Sequence, residues 1–264
     1  MQTNKTGPAG GRDSILSLRG ISKSYGGVKA LENVSLDIAP GEVVALVGDN
    51  GAGKSTLVKI MSGAIRPDEG DYFFEGEKVA IRSPSDATEL GIQTVYQDLA
   101  LCNNLDAVQN LFLGREPVGP MLLGQRIRRA ECDVRAREVL RRLRLDHISI
   151  TRPVGAMSGG QRQNIAIARS ILWNPKVVLL DEPTAALSHS AAEKVGELIR
   201  GLADQGLGVL VISHDIHNFV VTVTDRIEVL RLGRNAGSYR VGEVSGEQIV
   251  NAMVGGNEAV NAAR

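Results

Sequence analysis

The sequence is poor in cysteine and in aromatic residues. Its two cysteines, Cys102 and Cys132, form neither a metal-ligand spacing nor a disulfide framework and read as packing residues. One Trp, four Tyr and four Phe leave no aromatics interleaved with basic residues, the pattern that stacks on bases in a nucleic-acid groove. Charge of one sign is not in excess either. Thirty Lys+Arg balance thirty Asp+Glu, which argues against a nucleic-acid partner held by phosphate neutralisation. Long apolar runs are missing. The densest, Val177–Leu180 and Val209–Ile212, are of strand length, far short of the ~20 residues a membrane-crossing helix needs. Met1–Ser14 has no apolar signal-peptide core and reads as a flexible leader. What is present is an ordinary globular mixture, 43% hydrophobic and 23% charged over 264 residues. That mixture predicts one folded domain over 15–254, with a flexible tail at 255–264.

The order of segments predicts an α/β architecture. Ile15–Arg19 and the alternating Val34–Ile38 read as strands, and the continuous apolar Val43–Val47 reads as a buried strand. Thr56–Met61 is helix-like, and Gly70–Ile81 suggests a hairpin around Gly76. Residues 98–157 lack strand signal and carry helix-like, arginine-rich runs, so they read as a helical insertion. In that stretch Val134, Val139, Leu140 and Leu143 are expected to turn inward beneath a solvated basic face. Strands at 177–180, 209–212 and 226–230 then alternate with helices, as in a largely parallel sheet.

Gly48-Asp49-Asn50-Gly51-Ala52-Gly53-Lys54-Ser55 follows an apolar strand, precedes a helix that includes Thr56, and fits G-x-x-x-x-G-K-[ST]. Glycines let such a loop turn its N–H groups onto phosphates, and the helix N-terminus adds a field that favours anions. In this motif Lys54 reaches the β- and γ-phosphates and Ser55 ligates Mg²⁺. Asp181 and Glu182 end the apolar strand Val177–Leu180. Carboxylates at the carboxyl end of a strand lie where α/β sheets bind ligands. Asp181 is a candidate Mg²⁺ ligand and Glu182 a candidate general base. On their own, the two acids could equally start the turn at Pro183.

Ser158-Gly159-Gly160-Gln161 precedes the apolar helix Ile165–Leu172. A capping box accounts for Ser158 and Gln161 but not for the paired glycines. A helix start with bare backbone beside it is a second anion site.

Taken together, and in this order along the chain, the phosphate loop, Met157–Gln161 and Leu180–Pro183 resemble the ATP-binding subunit of ABC transporters from about Leu16 to Gly233. The resemblance implies a P-loop NTPase (RecA-like) core with an antiparallel β subdomain and a helical subdomain. It also implies ATP and Mg²⁺ bound between two copies of the chain. Through the same resemblance Tyr25 is the aromatic that stacks on adenine, with Val28 beside it. Gln97 senses Mg²⁺ and the attacking water, and His214 contacts the γ-phosphate. From the residues alone, Tyr25 reads as a surface aromatic, Gln97 as a loop residue and His214 as a neighbour of a helix cap. Ala185–Ser188 departs from the family pattern, since serine replaces the usual aspartate and is expected to cap the helix at His189. Gly91–Leu99 and Asn110–Pro117 resemble the monosaccharide-import branch, in its single-domain, fructose-type form. That implies permease subunits, a periplasmic sugar-binding protein and a peripheral position on the cytoplasmic face of the inner membrane. The alternatives are a soluble ABC ATPase serving translation or DNA repair, a P-loop GTPase or small-molecule kinase, and a silent interaction domain. The first lacks the usual second nucleotide domain or long coiled coil, and a GTPase would need an Asn-Lys-x-Asp after the loop. Lys54, Asp181 and Glu182 argue against a silent domain.

Overall fold

Val43–Val47, Val177–Leu180 and Gly208–Ile212 are buried on both faces, and this fixes the architecture. In the computed structural model, which describes residues 14–119, 126–185 and 187–255, they are the centre of a six-stranded sheet. The expected leader through residue 13, the tail from 256, Pro120–Gln125 of the insertion and Ala186 lie outside the described residues.

The chain runs β1 (Leu16–Tyr25), β2 (Val28–Ile38), β3 (Val43–Val47), α1 (Lys54–Met61), β4 (Glu69–Phe74), β5 (Glu77–Val79), α2 (Pro84–Leu90) and β6 (Ile92–Val95). It continues through α3 (Ala107–Phe112), α4 (Arg129–Arg142), α5 (Gly159–Ile171), β7 (Val177–Asp181), α6 (His189–Asp204) and β8 (Gly208–Ile212). A π-helical turn (Ile216–Val220), α7 (Val221–Val223), β9 (Arg226–Arg231), β10 (Arg234–Arg240) and α8 (Gly246–Val254) complete it. The large sheet has the order β10-β9-β3-β8-β7-β6, parallel except for the antiparallel β10. A second, antiparallel sheet has the order β2-β1-β4-β5.

The central strands feed two large cores, and Ala45 and Val47 of β3 a third, smaller one with Ile216, Val220 and Ile249. Val44, Leu46, Leu179, Leu210 and Ile212 pack with α1 and the antiparallel sheet. Val43, Val178, Leu180, Val209 and Val211 pack with α3 through α6. Full burial of each such side chain stabilises the fold by ~1.5–3 kcal/mol. Arg226 ties the sheets together: it donates to Glu42 Oε1 at 2.9 Å and to the Asp37 carbonyl at 2.6 Å.

Several expectations need correction. β1 and β2 run to Tyr25 and Val28, well past the stretches read from apolar alternation, because register shifts between Leu18 and Ser24 break the alternation without ending the pairing. The insertion carries two isolated antiparallel bridges, Asp106 with Pro153 and Val118 with Ile127. On α4 the inward residues are Cys132, Ala136 and Leu140, with Leu143 just beyond the helix, whereas Val134 is 64% exposed. Two residues along a helix is a turn of about 200°, which carries Val134 to the face opposite Cys132. Ser188 occupies the N-cap of α6, but its hydroxyl makes no capping hydrogen bond and lies instead 3.5 Å from Ser190 Oγ.

Candidate functional site

Four neighbouring parallel strands, in the order β3-β8-β7-β6, deliver the candidate residues from their carboxyl ends. The phosphate loop follows β3, His214 lies two residues past β8, Asp181 ends β7 with Glu182 directly after it, and Gln97 lies two residues past β6. This edge is where open α/β sheets bind ligands.

The loop is held by close backbone approaches that only glycine allows. A Cβ on Gly48 would lie 2.3 Å from the Leu230 carbonyl oxygen, and one on Gly53 would lie 2.7 Å from that of Ala30. Gly53 also has φ 104°, in the left-handed region, and is the N-cap of α1 without any side-chain cap. The first amides of α1 therefore face outward without a side-chain acceptor at the cap, the arrangement that receives an anion. Lys54 Nζ donates to the carbonyls of Gly48 at 2.7 Å and Asp49 at 3.0 Å, so the ammonium bridges the loop's entry. Asp49, Asn50, Gly51 and Ser55 are exposed, while Ala52 is buried. Asp49 Oδ1 accepts from the Asn50 amide at 2.7 Å. The turn between β9 and β10 backs the loop, where Gly233 N–H donates to the Ala52 carbonyl at 3.1 Å. That support escaped the sequence reading. The only signal for it is Gly233, at φ 76° against the Ala30 carbonyl.

Glu182 adopts φ 49°, left-handed for a residue that is not glycine. Such a conformation costs ~1–3 kcal/mol and clusters at functional sites. It follows from the turn: the Glu182 amide donates to Ile212 O at 3.0 Å, and its carbonyl accepts from Ala185 N at 3.1 Å. The Glu182 carboxylate then meets His214, with Oε2 2.9 Å from Nδ1. The carboxylate side chain is 16% exposed and the imidazole 76%, so the pair sits at the mouth of the site.

Burial raises the Asp181 carboxyl pKa above its ordinary value, the Glu182 charge adds to the rise, and Lys54 and Lys59 oppose it. A group raised in this way is destabilising when charged. Between the ordinary and the raised value the folded chain binds more protons than the unfolded chain, so stability falls as pH rises through that window. Asp181→Asn should therefore raise the melting temperature at neutral pH. The gain should fade as the pH falls well below ~4, where the carboxyl is protonated in the folded and the unfolded chain alike. A melting series over pH checks this, and a destabilised Asn variant at neutral pH would contradict it.

Tyr25 and Val28 face each other across the two-residue Gly26-Gly27 turn of the β1–β2 hairpin, 49% and 68% exposed. The hairpin lies beside the loop through Ala30 and Leu31, which contact Gly53. Lys23 Nζ sits 5.8 Å from the Tyr25 ring centre.

Ser158–Gln161 stand apart, at the start of α5. The capping box is complete: Gln161 N donates to Ser158 Oγ at 3.3 Å and Ser158 N to Gln161 Oε1 at 3.1 Å. The paired glycines have a packing reason as well. A Cβ on Gly159 would be 3.3 Å from Leu187 and one on Gly160 3.3 Å from Ala191, so they let α5 approach α6. Among the described residues, no hydrogen bond joins Ser158–Gln161 to Lys54, Asp181 or Glu182.

Comparison with known proteins gives the family. Residues 31–185, more than half of the chain, match the model of the ABC transporter family. The chain belongs to the ABC transporter family. This ABC ATPase is 47% identical over 239 residues to a xylose/arabinose import ATP-binding protein of Sulfolobus acidocaldarius, covering 90% of this chain and 93% of that one. It is 43% identical to a fructose import ATP-binding protein of Rhizobium meliloti, covering 94% and 96%. Against a ribose import ATP-binding protein of Clostridium perfringens it is 39% identical, over 93% of this chain but 48% of that protein. Its fold matches the crystal structure of a nucleotide-free ATP-binding cassette with a TM-score of 0.79 and 28% identity, covering 91% and 95%. A dimeric ABC cassette bound to ADP and Pi matches with a TM-score of 0.71 and 29% identity, covering 87% of this chain and all of that one.

Proposed function

We propose that this ABC ATPase drives import of a monosaccharide through separate membrane subunits. The observation that carries the reading is similarity over 90% or more of the chain to ATP-binding proteins for xylose/arabinose, fructose and ribose import. Among the described residues no helix is long and apolar enough to cross a membrane. The reading has the chain sit on permease subunits at the cytoplasmic face of the inner membrane, with a periplasmic binding protein supplying the sugar.

In this reading the amides of Gly48–Thr56 and the Lys54 ammonium hold the triphosphate, and Tyr25 stacks on the adenine with Val28 alongside. Glu182 takes the proton of the attacking water, and His214, in contact with Glu182, faces the γ-phosphate. Ser55, Gln97 and Asp181 would hold Mg²⁺. They are hard oxygen donors, and the burial that raises the Asp181 pKa leaves a carboxylate that gains from a cation. Among the described residues no group of three His, Cys, Asp or Glu side chains forms a metal cluster. When bound, the ion neutralises charge developing on the phosphate oxygens. Positioning and electrostatics supply most of such a rate.

Ser158–Gln161 would serve the nucleotide held by a second copy of the chain. Ser158→Arg should leave ATP affinity of the single chain within about twofold and abolish hydrolysis, because the bulk of the arginine side chain clashes at a closed interface. Full hydrolysis by the variant would exclude the shared site.

The transport reading is tested in proteoliposomes holding the chain and its permease, with binding protein added. A binding protein loaded with one monosaccharide should raise ATP hydrolysis severalfold over the unloaded protein. A rate indifferent to xylose, arabinose, fructose and ribose would contradict monosaccharide import.

A further inference from the structure

Gln97 and Asp98 stand between two tethers that belong to different parts of the fold. On the upstream side Tyr96 O–H donates to Ser62 Oγ at 2.9 Å. Ser62 is the C-cap of α1, the helix that begins at the phosphate loop. On the downstream side Arg169, from the last turn of α5, donates from Nη1 to the Ala100 carbonyl and from Nη2 to the Leu99 carbonyl, both at 2.7 Å. Ala100 adopts φ 48°, the left-handed conformation that lets two successive carbonyls meet one guanidinium. Beyond it the fully buried Asn110 of α3 holds Cys102, Leu105 and Asp106 by their backbone groups. From Leu99 to Asp106 the loop is thus held by hydrogen bonds to α5 and α3.

We propose that Arg169 is a positioning residue for Gln97. Its fork makes the segment after Gln97 move as one piece with the helix that starts at Ser158. A change in the placement of α5, such as closure on a second copy would bring, is then delivered from Leu99 to Gln97 through Asp98 alone. Arginine suits this task because its planar guanidinium presents two fixed donors side by side, where a lysine offers one mobile ammonium. Desolvation lowers the Arg169 pKa, consistent with a charge spent on carbonyl dipoles rather than in water. The inference rests on the proposed role of Gln97, and the experiment separates the two.

The test is a double-mutant cycle on ATP hydrolysis by the purified full chain. The variants are Arg169→Met, Arg169→Lys, Gln97→Ala and Gln97→Ala with Arg169→Met. Misplacing a group at the reacting centre by ~1 Å costs up to about 100-fold. Arg169→Met should lower kcat ~10-fold or more with ATP affinity of the single chain unchanged, and Arg169→Lys, which keeps charge and one donor, should fall between it and the native chain. Arg169→Met should also raise the Mg²⁺ concentration needed for half-maximal hydrolysis. In the Gln97→Ala background Arg169→Met should cost nothing further. The same 10-fold loss in that background would overturn the proposal, because Arg169 would then act elsewhere. Native kcat for both Arg169 variants, with Gln97→Ala impaired, would overturn the fork while leaving Gln97 its role. Native kcat for Gln97→Ala would overturn the role of Gln97 itself, and the fork's purpose with it. If Arg169→Met melts below the assay temperature, Arg169→Lys alone carries the cycle with the same criteria.

Discussion

Glu182→Gln should bind ATP as tightly as the native chain and hydrolyse it at least ~100-fold more slowly, since a positioned general base contributes about 10²–10⁴ to the rate. The amide fills the same space and retains a hydrogen-bonding partner for His214, whose Nδ1 lies 2.9 Å from Glu182 Oε2. What it cannot do is accept a proton. The left-handed backbone at Glu182 is set by hydrogen bonds of its main chain, which the substitution leaves in place. Loss of turnover would therefore report the side chain's chemistry rather than a collapsed turn. A hydrolysis rate close to that of the native chain would remove Glu182 from the role of base.

Lys54→Ala should weaken ATP binding ~10- to 100-fold, the equivalent of one hydrogen bond to a charged group at ~1.5–3 kcal/mol. The ammonium already bridges the Gly48 and Asp49 carbonyls across the loop's entry. The variant thus loses both the cation that faces phosphate and a brace of the loop. Titration with ATP and with inorganic tripolyphosphate separates this loss from a defect at the adenine, because both ligands should weaken by the same factor. Unchanged affinity for both would contradict the phosphate-loop assignment.

The parts of this site legible in the sequence are those that physics writes into short runs of residues. Val43–Val47 and Val177–Leu180 are continuous apolar strands because both faces are buried, and the loop and acids follow them directly. Elements at the margin are harder to read. β6 shows only Ile92 and Val95 as apolar positions, so four residues with two polar centres gave no strand signal. β10 is a largely exposed edge strand, Arg234–Arg240, whose polar residues satisfy solvent rather than a core. α2 carries a readable start, Ser83 before Pro84 with Asp86 at the third position, and Ser83 Oγ does accept from Asp86 N. The contacts that support the site are different in kind. Gly233 against Ala52, Arg169 against Leu99 and Ala100, and His214 against Glu182 join residues separated by 32 to 181 positions. No local pattern encodes them. For Tyr25, Gln97 and His214 the residues alone allowed ordinary structural readings, and only likeness to a family suggested roles. Two of the four strand ends needed no such help: the phosphate loop follows β3 and the acids lie at the end of β7, both continuous apolar strands.

In the proposed assembly the phosphate loop of one copy and Ser158–Gln161 of another enclose one ATP. The most direct test is the molar mass of Glu182→Gln, by size-exclusion chromatography with light scattering, with and without ATP and Mg²⁺. The predicted result is a species of the mass of one chain without nucleotide and of two chains with it, the larger species vanishing when Ser158→Arg is added to the same chain. A Glu182→Gln chain saturated with ATP that keeps the same mass at all concentrations, or a dimer indifferent to Ser158→Arg, would contradict the claim.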